Sequence, residues 1–582
     1  FDGYETFQKY QDREANGFYY DYMKDYTSLE EISYTRQRTY SALSTAITVP
    51  RDYYYNINMN MGFDYARQFG KPYTQGNAFF RTYQHNIRGQ YSSYRYASFN
   101  FSGTYAYDDR YLFTANLSRM GSDNYSQGNR WDTFYGFSAG WNINKEPWFK
   151  KQNWKVDLLK IRASYGRAGY DIVNSGSSSQ DGTTNRYPFQ SEYSQGASYS
   201  FGRVSGASQS NVVSTYYESK MGSEAITWEI SKMFNFGIDW DVWNHKFYGS
   251  FDVFKEWRSD ILISPSSTPT LLGITAPQES LGKAETHGIE LTLGHSHRYG
   301  DFKWSIEGML TWNKNKITYM DEVERTYDYQ QRTGKRIGQG FALKFQQWAS
   351  DESLIATSQQ DAIDHPEKYP YNTFAGSSFK LGNAVFQDTN GDRQIDVDDK
   401  IAMGYNVDFD RIPELTPSVK LGFEWKGFDA RVIMTAYLNR IALCRENVDH
   451  SFGWGGATTH EIVNSWGYYT DDPADPRNIN AKYPRLSAAS FSSADRNDDT
   501  RESDIWWMNG DYLSLRNIEI GYSFPLRMIS RLGMTKLRVY FSGYNLYNWS
   551  HLGDGFDPEN PTNYIWTYPK TKSFTFGLNI SF

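Results

Sequence analysis

Ser573-Phe-Thr-Phe-Gly-Leu-Asn-Ile-Ser-Phe582 decides the reading of this chain, because it alternates without a break. Phe574, Phe576, Leu578, Ile580 and Phe582 fall on one face, and Thr575, Gly577, Asn579 and Ser581 on the other. A soluble strand with so apolar a face needs a second layer to cover it. In a membrane barrel lipid covers the outside and the lumen takes the small polar side chains. A terminal Phe then sits at the rim.

Working outward, the composition has the same character. The 582 residues include 48 Tyr, 37 Phe and 18 Trp, so aromatics reach 18%, while all hydrophobic residues together make only 39%. Half-polar strands bounded by aromatic girdles have this composition. No stretch approaches the apolar length of about 18–20 residues that a spanning helix requires. A net charge of -7 without a basic run argues against a nucleic-acid partner. The single cysteine, Cys444, excludes an intramolecular disulfide and disfavours a structural zinc site. Phe1 opens the chain with no signal-like segment, so any secretion signal is expected upstream or removed.

Period-2 counting predicts about fifteen strands of about ten residues or more. They lie near 53–65, 76–88, 95–107, 110–119, 132–143, 156–167, 227–242, 246–258, 285–296, 301–314, 416–426, 427–439, 511–524, 535–546 and 572–582. In one of them Phe234, Phe236, Ile238 and Trp240 oppose Asn235, Gly237, Asp239 and Asp241. Aspartates cannot face lipid, so the polar face must be lumenal. Short turns at Asp108-Asp109, Asn244-His245, Arg298 to Asp301 and Lys426-Gly427 alternate with long segments near 168–226, 259–284, 315–415, 440–510 and 547–571. Outer-membrane barrels place short turns in the periplasm and long loops outside. That rule puts the C-terminus in the periplasm and predicts a transmembrane antiparallel β-barrel over 51–582. Residues 1–50 read as a loop region with one possible barrel strand and a faint helical pattern over 21–40. Strand parity asks for at least one strand before 53–65. A soluble propeller would show even loop lengths and a repeat of about 40–50 residues, and neither is present.

Two constellations stand out in the long segments. Asp388, Asn390, Asp392, Gln394, Asp396 and Asp399 fall at positions 1, 3, 5, 7, 9 and 12 of an oxygen-rich loop, the spacing of an EF-hand-type Ca2+ site. Asp399 in place of Glu at position 12, and Arg393 in place of Gly at position 6, depart from that pattern; the competing reading is a solvated acidic loop. The expected task of a bound ion there is stiffening. Trp348, Trp454, Trp466, Tyr468, Tyr469, Trp506 and Trp507, with Trp549 and Trp566, make the loops aromatic. Such faces stack on sugar rings, grip peptides or dock a lid, although girdles and loop cores use the same residues. His295-Ser-His297, beside a short turn, reads as a solvated turn rather than a metal site. No hydrolase triad, nucleotide-binding loop or zinc motif emerges, so the expectation is that the chain is not an enzyme.

Several ordered stretches resemble the SusC/RagA family of TonB-dependent outer-membrane transporters of Bacteroidetes. They include Phe63-Asp64-Tyr65-Ala66-Arg67-Gln68-Phe69-Gly70-Lys71, Asp109-Arg110-Tyr111-Leu112-Phe113-Thr114-Ala115, Leu159-Lys160-Ile161-Arg162-Ala163-Ser164-Tyr165-Gly166 and Gly288-Ile289-Glu290-Leu291. Asn129-Arg130-Trp131, Asp388 to Asp399, Tyr512-Leu513-Ser514-Leu515-Arg516-Asn517 leading to Gly521-Tyr522-Ser523-Phe524-Pro525, Ser542-Gly543-Tyr544-Asn545-Leu546, Asp557-Pro558-Glu559 and the terminal strand complete the set. The resemblance implies a roughly 22-stranded barrel with a plugged lumen, driven by TonB and its inner-membrane partners and capped by a SusD-like lipoprotein lid. It implies import of oligosaccharides or oligopeptides, with the plug and the TonB-contacting segment expected upstream of Phe1. The alternatives from other classes are a surface adhesin or structural barrel that does not transport, and a membrane-embedded hydrolase.

Overall fold

The computed structural model describes residues 19–23, 33–38, 55–86, 94–152, 154–171, 187–200, 212–267, 276–351, 359–365, 368, 381–392, 395–405, 413–443, 460–485, 503–552, 557–559 and 570–582. Fifteen strands form one antiparallel sheet. They are β1 (Tyr55–Gln68), β2 (Pro72–Asn86), β3 (Tyr94–Tyr107), β4 (Tyr111–Ser122), β5 (Trp131–Asn142), β6 (Val156–Tyr170), β7 (Glu229–Val242) and β8 (Phe247–Ile263). The series continues with β9 (Glu279–Tyr299), β10 (Phe302–Tyr319), β11 (Leu415–Trp425), β12 (Phe428–Tyr437), β13 (Tyr512–Ser523), β14 (Lys536–Ser550) and β15 (Ser573–Ser581). Each pairs with its neighbour in sequence, so the sheet is an uninterrupted meander. All fifteen coincide with the expected segments, some extended by several residues.

The meander arises because alternation is continuous and the turns are short. Asp108 and Asp109 adopt positive φ between β3 and β4, Trp243, Asn244 and His245 do so between β7 and β8, and Lys426 and Gly427 between β11 and β12. Left-handed pairs of this kind match strand twist and close hairpins tightly. At the other end the connections run to 171–228, 320–414 and 438–511. Among the described residues no helix is long and apolar enough to cross a membrane.

The two faces of the sheet differ as the alternation requires. Outward residues stay bare: Phe576 is 81% and Phe63 83% exposed. The opposite face is polar and ionically paired across strands. Arg162 on β6 donates to Asp239 on β7 at 3.1 Å and to Asp252 on β8 at 2.6 Å. Arg538 on β14 pairs with Asp429 on β12 and with Glu519 on β13, the latter at 2.7 Å. Gly237 makes room for the first cluster, since a Cβ there would lie 2.7 Å from the Arg162 guanidinium carbon. The aspartates that could not face lipid are thus held on the lumenal side.

Outside the sheet three differences from expectation appear. Tyr19–Met23 and Ser33–Arg38 pair as a separate two-stranded sheet, so the helical pattern over 21–40 is not realised at these positions. The segment 168–226 contains a further hairpin, Glu192–Ser200 with Val212–Lys220. The segments 315–415 and 440–510 contain short strand pairs, such as Phe345–Trp348 with Ala384–Phe386 and Ile441–Leu443 with Trp507–Asn509. These strands are three to five residues long in the latter group and lack room for a readable alternation.

Candidate functional site

The described parts of the long segments between β10 and β11 and between β12 and β13 pack together into a body with its own core. Leu343, Trp348, Ala384, Phe386, Ile395 and Trp466 form one cluster, and Ala442, Tyr483 and Trp506 a second; Ile505 packs against both. Hydrogen bonds knit the segments: Trp348 Nε1 donates to the Ala481 carbonyl at 3.0 Å, and the Trp466 amide to the Tyr483 carbonyl at 3.0 Å. Tyr483 stacks on Trp506 at 5.9 Å between centroids. Gly382 is needed here twice over, for its φ of +80° and because a Cβ would stand 2.2 Å from the Trp466 ring.

This packing sorts the aromatic residues singled out from sequence. Trp348, Trp466, Trp506 and Trp507 are buried, so they are core side chains and cannot offer their faces to a ligand or a lid. Large aromatics supply here the buried area that such short strands cannot. Trp549 is exposed, while Trp454 and Trp566 lie outside the described residues.

Tyr468 and Tyr469 remain exposed, with rings edge-to-face at 4.8 Å. Arg477 lies over the Tyr469 ring at 4.9 Å and forks onto Asp475, with Nε to Oδ1 at 2.9 Å and Nη2 to Oδ2 at 2.7 Å. That fork holds the Asp475 carboxyl down at about 2. Beneath them buried Asn478 braces the turn: its Oδ1 accepts from the Gly467 amide, and its Nδ2 donates to the Thr470 and Asp472 carbonyls at 2.8 Å each. The sequence marked the two tyrosines but not Arg477 or Asn478, whose contacts lie within the same turn and follow no periodic pattern.

The acidic loop is attached to the same body. Ile395, at its eighth position, is inserted into the first cluster, and Phe386 precedes it there. Asp388 Oδ1 accepts from the Gly391 amide at 2.7 Å, where Gly391 has φ +79°. Asn390 and Asp392 bond each other, and Asp396 accepts from the Asp398 amide at 2.7 Å. Asp399 is fully buried; its Oδ1 accepts from Thr389 at 2.6 Å and its Oδ2 from Asp396 at 2.8 Å. Burial pushes its carboxyl up, and nearby Asp388 adds to the rise. Gln394 lies outside the described residues. Backbone amides of Thr389, Asn390 and Asp396 are the donors to the Asp399 carboxylate. Carboxylate oxygens accept more than one partner. The donor set is all oxygen, the chemistry a hard divalent cation prefers, but among the described residues the loop's carboxylates accept from backbone amides and no three of them converge on one point.

The fold and these loops define a class, the wall and loops of a large outer-membrane β-barrel. Within it the chain is SusC/RagA-like. It is 26% identical over 491 residues to the TonB-dependent receptor SusC of Bacteroides thetaiotaomicron, covering 82% of this chain and 43% of that protein. It is 24% identical over 501 residues to TonB-dependent receptor P3 of Formosa agariphila, covering 82% and 44%, and 23% identical over 612 residues to receptor P39 of the same organism, covering 99% and 54%. In structure it is similar to the RagAB peptide transporter (TM-score 0.61, 17% identity, 91% of this chain and 56% of that one) and to the RagAB peptide importer in its 'open-open' state (TM-score 0.63, 15% identity, 91% and 55%). The chain spans about half the length of the curated relatives it matches. No family model matches the sequence.

Proposed function

We propose that this chain is the barrel portion of a TonB-energised outer-membrane importer, with its long loops extracellular and its C-terminus periplasmic. The observation that carries this reading is the built loop body at the long-connection end of a sheet whose other end is closed by tight turns and by two medium connections over 143–155 and 524–535. A transporter that merely leaked solutes would not need a folded, cored body there. On this reading the body receives a SusD-like lipoprotein lid, and the exposed Tyr468, Tyr469 and Arg477 contact cargo or lid. The cargo is an oligomer, peptidic in the manner of the RagAB importer or an oligosaccharide; ring faces beside a guanidinium suit both. The loop Asp388 to Asp399 takes Ca2+ as a structural ion that stiffens the body.

Extraction of the native protein from outer membranes in mild detergent, followed by mass spectrometry of stoichiometric companions, tests the proposal. A co-purifying surface lipoprotein is expected, with bound peptide or glycan. A barrel that purifies alone and supports no uptake in whole cells would overturn it.

A further inference from the structure

At the short-turn end, β6 begins where β7 ends, and their register slips between Asp241 and Val242: Asp241 faces Leu158 while Val242 faces Val156. Asp157 is the extra residue of that bulge. Bulges re-aim side chains, and this one brings Asp157 toward Asp241. The β7–β8 turn then folds His245 back over the strand ends, through successive positive φ values of 60°, 58° and 61° at Trp243, Asn244 and His245. The His245 amide donates to Asp157 Oδ2 at 3.1 Å, and His245 Nδ1 contacts Asp241 Oδ2. One ligand atom from each of the three residues lies within 4.8 Å of the others.

The charge at this turn is unlike that at the other turns. Asp108 has Lys71 and Arg110, Asp109 has Lys145, and Asp239, two residues from Asp241, has Arg162. Asp157 and Asp241 have no lysine or arginine partner among the described residues. Asp241 Oδ1 is moreover buried without any hydrogen-bond partner. An unpaired buried carboxylate oxygen is costly and is met by an ion or a water.

We infer that Asp157, Asp241 and His245 bind a divalent first-row cation of the Zn2+ type at the short-turn rim. One imidazole nitrogen and two carboxylates suit a borderline ion better than Ca2+, which prefers oxygen alone. Zinc bonds to such donors are about 2.0–2.2 Å long, so small side-chain shifts suffice to bring the three atoms onto one centre. The ion displaces to solvent the proton between His245 Nδ1 and Asp241 Oδ2, which frees both atoms as ligands. The His245 side chain is three-quarters exposed, which leaves solvent to complete the coordination. Such an ion would pin the start of β6 to the β7–β8 hairpin.

The test uses the full-length protein purified in detergent, stripped with chelator and titrated with Zn2+ alone. Expected is one tightly held zinc attributable to this site by elemental analysis, with affinity falling about tenfold or more in H245A and in D241N, since even outer partners of metal ligands are worth that much. The stacked pair His295 and His297, 6.4 Å apart, is the rival zinc site nearby, so H295A/H297A serves as the control and should bind as the parent does. Co2+ in place of Zn2+ gives a visible spectrum that reports ligation directly and should vanish in H245A even if stability is unchanged. Binding lost only in H295A/H297A, binding unchanged in H245A and D241N, or no binding by the parent protein would each overturn the inference.

Discussion

The barrel wall and the loop body use the same aromatic residues in opposite ways. Phe576 in the wall is almost bare, whereas Trp466 in the loop body is 2% exposed. On the wall, lipid replaces a second protein layer, so outward rings need no partner from the chain. In the loop body water surrounds the chain, and rings must be covered by the chain itself. Position in the sequence therefore says less about an aromatic residue than the solvent its segment meets.

The sharpest way to break this comparison is to truncate one ring in each region. Trp466→Ala should destabilise the loop body by about 3–5 kcal/mol, seen as new protease cleavage within 340–510 while the barrel keeps its heat-modifiable gel mobility. Phe576→Ala should leave that cleavage pattern unchanged, because lipid refills the space. Equal sensitivity of the loops to both changes would dissolve the distinction. Next in size, Leu578→Arg on the lipid face should cost about 2–4 kcal/mol if it lies near the midplane, read as lost folding yield into bilayers. Thr575→Arg on the lumenal face should fold nearly as the parent does.

Within the loop body two carboxylates sharpen the comparison through pH. Asp504 accepts from the Phe345 amide at 2.7 Å, and burial raises its carboxyl above the usual range. The folded body then binds more protons than the unfolded one between the two values, so loop stability should fall as pH rises through that window. Asp504→Asn should flatten this dependence in a pH series of limited proteolysis. Asp475 has the opposite sign: its carboxyl is held at about 2, so its contribution is present above the ordinary carboxylate value and is lost as pH falls toward 2. Asp475→Asn should remove that acid-side loss.

The smallest structural effects belong to the exposed platform and the acidic loop. Tyr468→Ala with Tyr469→Ala should change stability by under about 0.5 kcal/mol yet weaken cargo or lid capture measurably by calorimetry. If the loop holds Ca2+ as proposed, chelator should raise protease sensitivity over 380–405 only; unchanged cleavage there would leave Asp388 to Asp399 as a solvated acidic loop.

All fifteen wall strands were legible because a strand between lipid and lumen must alternate at every second residue, and residues such as Phe234 to Asp241 carry that constraint on their face. The loop body was not, because its strands are too short for periodicity and its core is assembled from segments far apart in the chain, as where the Phe345 amide meets Asp504. Trp348, Trp466, Trp506 and Trp507 were visible as aromatic residues in polar segments; only tertiary packing decided that they face inward while Tyr468 and Tyr469 face out. The pairing of Asp157 with Asp241 and His245 likewise depends on a one-residue bulge that no local pattern announces. What the sequence by itself determined is the wall, since each strand's pattern is fixed by the two solvents beside it. Which side chains converge above and at the rim was decided by tertiary structure, because convergence depends on how loops and bulges close over distance rather than on any neighbour in sequence.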